Sequence, residues 1–138
     1  MLRYKLLHPH ILNALGTAGH GSQILIADSN YPFSTGAPLQ AEHVYLNLAP
    51  GIVSLPDVLR VLTDAIPVEA AHAIHPGGED DPEIFGEYHQ IMPEIEIQKL
   101  ERFPFYDAAR SQNTALVIAT GERRTWACII LTIGVVEA

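Results

Sequence analysis

Cysteine is nearly absent from this chain of 138 residues, which carries Cys128 alone. A single cysteine cannot form an internal disulfide, and such a composition is typical of proteins in a reducing compartment. Long apolar runs are missing as well, since no stretch approaches the ~20 residues that a membrane-spanning helix needs. The amino-terminal residues also lack the apolar core of a secretory signal. We therefore expect a cytoplasmic protein that does not enter a membrane.

Positive charge is scarce, because 8 lysines and arginines stand against 16 acidic residues, for a formal net charge of −8. This acidic balance argues against nucleic acid or an anionic membrane as a partner, because both are themselves negatively charged. Nucleotide-binding motifs are missing too. Gly77-Gly78 is followed by acidic residues instead of a phosphate-binding lysine, and no Gly-x-Gly-x-x-Gly opens a helix. His72 and His75 lie three apart in a predicted strand, on opposite faces. We expect no cofactor and no metal.

Apolar residues are abundant, at 48% of the chain, and the mean hydropathy is +0.14. The length suits one domain over residues 1–138. A small monomer exposes a large fraction of its residues to water. The high apolar content therefore predicts an oligomer that buries apolar faces between its subunits.

Strand and helix signals alternate along the chain. Such alternation predicts an α/β fold of three layers, α/β/α, with a mostly parallel (mixed) central sheet in a single domain. The predicted helices begin near residues 9, 54, 82 and 105, and the first is expected to end in a left-handed cap at Gly19. The predicted strands cover 24–26, 43–48, 68–74, 94–100, 114–119 and 128–133, with 94–100 half-exposed at an edge.

One histidine and one aspartate stand at opposite ends of the first predicted strand. His20 precedes the apolar run Ile24-Leu25-Ile26, and Asp28 follows it, at the carboxyl end where open α/β sheets bind ligands. A strand cannot bring its two ends together, so the pair can act jointly only through a shared loop pocket or a subunit interface. The alternatives are a histidine that interacts with a helix terminus and an aspartate that caps loop backbone.

An ordered set of motifs resembles the fucose mutarotase and ribose pyranase family along the whole chain. These motifs are Gly19-His20-Gly21 followed by a buried strand and Asp28, then Tyr31-Pro32-Phe33, Gly36-Ala37-Pro38, Arg102-Phe103-Pro104-Phe105-Tyr106 and Thr120-Gly121-Glu122-Arg123. The motif Arg-Phe-x-Phe-Tyr resembles the corresponding motif in the fucose mutarotase branch of this family. The resemblance implies a homodecamer and a sugar isomerase without a cofactor.

The resemblance also implies roles for individual residues. His20 matches the family's catalytic histidine, and Asp28 and Arg102 match its sugar-binding aspartate and arginine. Trp126 and Cys128 stand in the family's last sugar-binding motif, where relatives show Tyr-Gly-Asn and this chain shows Trp-Ala-Cys. An indole N–H donates a hydrogen bond but cannot exchange a proton as a phenol does. We therefore expect weak exchange on fucose, with His20 serving both faces of the reaction or relying on water.

The predicted activity is interconversion of the anomers or ring forms of a monosaccharide such as fucose or ribose. A histidine can serve proton transfer near neutral pH, and Asp28 with Arg102 would orient sugar hydroxyls through charge-assisted hydrogen bonds. Trp126 would offer an apolar ring face to the sugar or else be a buried core aromatic. Two rival functions remain at this point: a sugar-binding or transport-associated protein without catalysis, and a structural oligomer whose pocket takes no ligand.

Overall fold

Six strands and four helices alternate in the computed structural model, which describes residues 1–138. The strands are β1 Gln23–Ala27, β2 Glu42–Tyr45, β3 Val68–Ile74, β4 Ile97–Leu100, β5 Thr114–Ala119 and β6 Ile129–Ile133. The helices are α1 Pro9–Thr17, α2 Leu55–Ala65, α3 Ile84–Ile91 and α4 Arg102–Ala109. No helix combines the length and the apolar content that would let it cross a membrane.

All six strands form one sheet in the order β2-β5-β1-β6-β3-β4. β6 pairs antiparallel with both of its neighbours, whereas the other three pairings are parallel. Five strands therefore point in one direction and β6 alone points in the other, which confirms the predicted mostly parallel mixed sheet. We name the side where these five strands end, and β6 begins, the carboxyl edge. The opposite side is the amino edge.

Side chains of β1 alternate between two hydrophobic clusters, one on each face of the sheet. Ile24 and Ile26 pack among residues of α1, α2 and α3. Leu25 and Ala27 pack on the other face, among residues of α4 and of the loop 31–41. Each fully buried Ile or Leu contributes about 1.5–3 kcal/mol. The predicted α/β/α layering in a single domain is therefore confirmed, with α4 as the one helix of the second helical layer.

The first helix ends differently from the prediction. α1 runs to Thr17, and its C-cap Ala18 has extended backbone, with φ −78° and ψ 169°. The left-handed cap expected at Gly19 is therefore wrong, because the chain leaves the helix in an extended direction. Gly21 is the glycine in this turn with a positive φ, at 82°.

Several other boundaries also differ from the sequence prediction: β2, for example, ends at Tyr45 and not at residue 48. One of these differences concerns the site. The edge strand β4 begins at Ile97, after a turn that follows α3. Helix α4 begins at Arg102, three residues before the predicted start. Pro104 obscures this start in the sequence, but a proline in the first turn of a helix removes no intrahelical hydrogen bond. Arg102 is thus the first residue of a helix.

Candidate active site

A pocket opens at the carboxyl edge of the sheet, where β1 and β3 end and β6 begins. Asp28 directly follows β1, and Cys128 directly precedes β6, so the antiparallel pairing of these strands brings the two residues together. The cavity has a volume of about 200 Å³. Nine residues line it, namely Asp28, Asn30, Tyr31, Ile74, Arg102, Tyr106, Thr125, Trp126 and Cys128. Four of the five residues singled out in the sequence therefore meet in one pocket.

Asp28 is a buried carboxylate held by several donors. Its Oδ1 accepts the Asn30 N–H at 2.9 Å, and its Oδ2 accepts the Ala127 N–H at 3.3 Å and the Cys128 thiol at 3.3 Å. The bond to Asn30 is the local cap considered from the sequence, but the same carboxylate also forms the pocket wall. These charge-assisted bonds fix the carboxylate in one orientation, which suits a group that orients a ligand.

Cys128 contributes a neutral thiol to the pocket. Burial raises the pKa of this thiol well above its usual value, and the nearby negative charge of Asp28 raises it further. The thiol therefore stays protonated and donates to Asp28, while the backbone N–H of Asp28 donates back to the Cys128 Sγ at 3.3 Å. Because the thiolate is the nucleophilic form of cysteine, Cys128 serves here as a polar wall and not as a nucleophile.

Trp126 stands at the mouth of the pocket and is not a core aromatic. Its side chain is half-buried, and its backbone is left-handed, with φ 60°. The guanidinium carbon of Arg102 lies 5.0 Å from the centroid of the indole ring. A cation over an aromatic face at this distance is attracted by the ring quadrupole. One face of the indole is therefore engaged by Arg102, which lies exposed at the start of α4.

Two interactions hold the left-handed backbone of Trp126. The Glu122–Arg124 ion pair lies before it in the chain, and the hydrogen bond from the Ala127 N–H to Asp28 lies after it. The Glu122 carboxylate, only 4% exposed, receives Nε of Arg124 at 2.9 Å and Nη2 at 3.0 Å. Burial alone would raise the pKa of Glu122, but the hydrogen bonds from Arg124 outweigh it and hold the pKa below its usual value. Arg124 also pairs with Glu87 of α3. The loop that carries Trp126 is thereby tied to the body of the protein.

His20 lies at the amino edge of the sheet, away from this pocket. The neighbouring Gly21 N–H donates to the carbonyl of Ile133 at the end of β6, and His20 Nε2 lies 3.0 Å from Oε2 of Glu69. The His20 side chain is 61% exposed. The five residues of β1, at ~3.3 Å each, separate the two edges by about 16 Å. One copy of the chain therefore does not bring His20 and Asp28 together.

The sequence analysis missed Tyr106 as a pocket residue. Arg102 and Tyr106 are four residues apart on α4, a spacing that places side chains on the same helix face. That signal was present in the sequence, but the predicted helix began at Phe105 and left Arg102 outside it.

The two histidines of the third predicted strand also have defined places. His72 lies on β3, and His75 follows it, with Nε2 3.2 Å from Oδ1 of Asp81. No group of three or more His, Cys, Asp or Glu side chains is arranged to hold a metal ion.

Comparison with known proteins gives the family of this chain. The profile of the RbsD / FucU transport protein family matches residues 1–136. The chain belongs to the RbsD / FucU family. Its relatives include the fucose mutarotase of Mus musculus, 32% identical over 96% of this chain and 92% of the relative. The D-ribose pyranase of Streptomyces avermitilis is 30% identical over 98% of both chains.

Solved structures of RbsD / FucU proteins share the fold. A fucose mutarotase from Streptococcus pneumoniae, in complex with L-fucose, superposes with a TM-score of 0.84 at 28% identity, over 99% of this chain and 100% of that chain. RbsD of Bacillus subtilis, complexed with D-ribose, superposes with a TM-score of 0.85 at 28% identity over the same shares. The resemblance inferred from the ordered motifs is therefore confirmed.

Proposed function

We propose that this protein is a monosaccharide mutarotase, which interconverts the anomers or ring forms of a sugar such as fucose or ribose. The observation that carries the proposal is the convergence of Asp28, Arg102, Trp126 and Cys128 on one small pocket at the carboxyl edge. Members of the same family are named for this reaction on fucose and ribose. The lone, buried cysteine fits a protein that works in the cytoplasm.

The pocket residues divide the binding task by their chemistry. The Asp28 carboxylate accepts hydrogen bonds from sugar hydroxyls, and the planar guanidinium of Arg102 donates to neighbouring oxygens. The indole of Trp126 holds Arg102 at the mouth by a cation–π contact. This is a different role from the apolar sugar platform considered from the sequence, since the ring face is shared with the guanidinium.

The reaction needs proton transfer but no covalent intermediate. His20 is the proposed base that takes the proton from the anomeric hydroxyl, while the ring oxygen receives a proton and its bond to the anomeric carbon breaks. The open aldehyde rotates and closes on its other face, and both protons return. A well-placed general base contributes about 10²–10⁴-fold to such a step.

His20 reaches the sugar only if a second copy of the chain supplies it, because β1 separates the two edges. Exposed apolar side chains support such an assembly. Phe103, next to Arg102 at the pocket mouth, is 72% exposed, and Leu39 is 93% exposed. Contact of these residues with another copy would bury them and close the pocket. We propose a homodecamer, as the family resemblance implies, in which His20 of one subunit faces the pocket of another.

The second candidate is a sugar-binding or transport-associated protein without catalysis. The replacement of the family tyrosine by Trp126 favours it, because Asp28 and Arg102 match the family's sugar-binding residues while a phenol is lost from position 126. Saturation-transfer NMR of the sugar separates the two functions. Saturation transfer between the anomer signals of fucose or ribose, accelerated by the protein, supports the mutarotase, whereas line broadening without exchange supports binding alone.

His20→Ala is the matched test of the catalytic assignment. Its side chain is exposed and packs in no core, so the fold should survive the change. We expect anomer exchange to fall by about 10²–10⁴-fold while sugar binding persists. Binding is measured by the fluorescence of Trp126, the single tryptophan of the chain. An unchanged exchange rate in this variant would remove His20 from the mechanism.

A further inference from the structure

A second cavity, which we name the outer cavity, adjoins the sugar pocket and takes no part in the proposed reaction. Its volume is about 500 Å³, against about 200 Å³ for the pocket that Asp28 lines. Two segments of the chain, 76–84 and 123–126, supply its lining residues. Thr125 and Trp126 line both cavities, so the two meet at these residues. A ligand seated in the sugar pocket can therefore extend past Trp126 into the outer cavity.

The outer cavity carries charges of both signs that no ion pair of the chain neutralises. Asp80 and Glu83 line it from one segment and Arg123 lines it from the other, and all three residues are exposed. None of the three belongs to an ion pair, so no salt bridge joins the two segments across the cavity. Two carboxylates and one guanidinium are thus available to a ligand.

This mixture of charges indicates a neutral ligand that is rich in hydroxyl groups. An anion would be repelled by Asp80 and Glu83, and a cation would be repelled by Arg123. A sugar hydroxyl both donates and accepts, so one sugar ring can donate to the carboxylates and accept from the guanidinium. Trp126 adds an apolar indole surface with an N–H donor, a combination that suits a ring with C–H and hydroxyl groups.

The acidic wall of the outer cavity is held in place from behind. The buried His75 accepts the Gly77 N–H on Nδ1 at 3.0 Å, so its other nitrogen, Nε2, donates to Oδ1 of Asp81 at 3.2 Å. Nζ of Lys99 lies 2.6 Å from the same oxygen. The hydrogen bond from Lys99 holds the pKa of Asp81 below its usual value, so this carboxylate stays ionised and paired. A wall fixed in advance lowers the entropic cost of binding a ligand.

The geometry of the reaction decides which part of a ligand would occupy the outer cavity. The sugar pocket is a small cavity that suits one ring, and the anomeric carbon of that ring must stay open to His20 from another copy of the chain. A second ring must therefore be attached through a hydroxyl other than the anomeric one. The first ring then keeps its free anomeric hydroxyl and can open and close, which makes it the reducing residue of the ligand.

We propose that the outer cavity is a second sugar-binding subsite and that the substrate is a reducing disaccharide. The reducing residue lies in the pocket with Asp28 and Arg102, and the other residue binds between Asp80 and Arg123. The glycosidic bond takes no part in the chemistry, since only the reducing residue opens and recloses. This inference rests on the proposed function and extends it from a monosaccharide to a larger substrate.

The probes that test the proposal are disaccharides in which galactose is attached to fucose, one for each fucose hydroxyl other than the anomeric one. Isothermal titration calorimetry gives the dissociation constant of each, with fucose itself as the reference. A hydrogen bond to a charged group is strong enough for about tenfold in affinity. We therefore expect at least one disaccharide to bind about tenfold more tightly than fucose. Saturation-transfer NMR of its reducing-residue anomers should also show exchange.

Two variants locate the gain in affinity in the outer cavity. Arg123→Ala removes the guanidinium, and Asp80→Asn removes one negative charge with little change of shape. Both residues are exposed, so the fold should survive either change. We expect each variant to weaken binding of the preferred disaccharide by about three- to tenfold and to leave the affinity and exchange of fucose within about twofold of wild type. Arg3→Ala is the matched control, because Arg3 is an exposed arginine that lines neither cavity.

The possible results separate this inference from the proposed function. Disaccharides that bind no more tightly than fucose, or a gain in affinity that both variants retain, would overturn the second subsite and leave the mutarotase proposal intact. A gain that both variants lose, in a protein that exchanges neither fucose nor the disaccharide, would support the subsite and refute the mutarotase. Tighter binding and exchange of a disaccharide, with the gain lost in both variants and kept in Arg3→Ala, supports both.

Discussion

Complementation between two inactive variants gives the sharpest test of a site shared by two subunits. His20→Ala removes the proposed base at the amino edge, and Arg102→Ala removes a proposed sugar ligand at the carboxyl edge. The two positions lie on opposite sides of a sheet whose central strand spans about 16 Å. Each variant alone should exchange sugar poorly. Co-assembled, they can form sites that take His20 from one copy and Arg102 from another.

The expected recovery of the exchange rate follows from the fraction of sites that are complete in a mixed oligomer. If two variants assemble at random in equal amounts, each site has an even chance of an intact His20 and an independent even chance of an intact Arg102. About a quarter of the sites are then complete, so exchange should recover to about a quarter of the wild-type rate. A site built within one chain would recover nothing, because every chain lacks one of the two residues.

The assay uses co-expression with two affinity tags, tandem purification of mixed oligomers, and saturation-transfer NMR of the sugar anomers. Two differently tagged copies of His20→Ala provide the background rate. The double variant co-expressed with wild type provides a second check, since a shared site again predicts about a quarter of full activity and a single-chain site predicts about a half. Mixed oligomers of the two single variants that remain at background would refute the shared site.

Two other predictions concern the loop that carries Trp126. Trp126→Leu removes the cation–π contact with Arg102, worth about 0.5–1 kcal/mol, so an NMR titration should show sugar affinity weakened by about two- to fivefold; unchanged affinity would show that the ring does not support the guanidinium. Glu122→Gln breaks the buried pair with Arg124 and should lower the free energy of unfolding by about 2–3 kcal/mol in chemical denaturation, against less than about 1 kcal/mol for Lys5→Ala at an exposed ion pair. The pKa of Glu122 is lower in the folded state than in the unfolded state, so the ionised carboxylate stabilises the fold fully above the unfolded pKa of about 4.3. This stabilisation is lost as the pH falls through the folded pKa, so wild type should lose more free energy of unfolding on acidification than Glu122→Gln. Equal losses in the two proteins would contradict this reasoning.

Local patterns in the sequence determined much of the architecture. The run Ile24-Leu25-Ile26 between polar ends indicated a buried strand, and Asp28 directly follows the strand that formed, so its place at the carboxyl edge was predictable. The cap of α2 was predictable for the same kind of reason, since the Ser54 side chain accepts the N–H of Asp57, three residues away. Such features depend on neighbours in the chain, and the alternation of strands with helices then restricts the layers to α/β/α.

The composition of the pocket could be read in part from the sequence, through the ordered motifs that indicated Asp28, Arg102, Trp126 and Cys128. Their contacts could not. Asp28 and Cys128 are 100 residues apart, and their mutual hydrogen bonds exist only because β6 pairs antiparallel with β1. Strand direction and order depend on packing over the whole sheet, for which no local spacing carries a signal.

Tertiary structure decided the positions of two other residues. The start of α4 at Arg102, with a proline in its first turn, put Tyr106 on the same helix face and beside Tyr31, an aromatic contact across 75 residues of chain. The sheet likewise placed His20 at the amino edge, opposite the pocket. A short strand keeps its two ends apart, and the pocket that Asp28 lines does not include His20, so these two residues can meet only through a second copy of the chain.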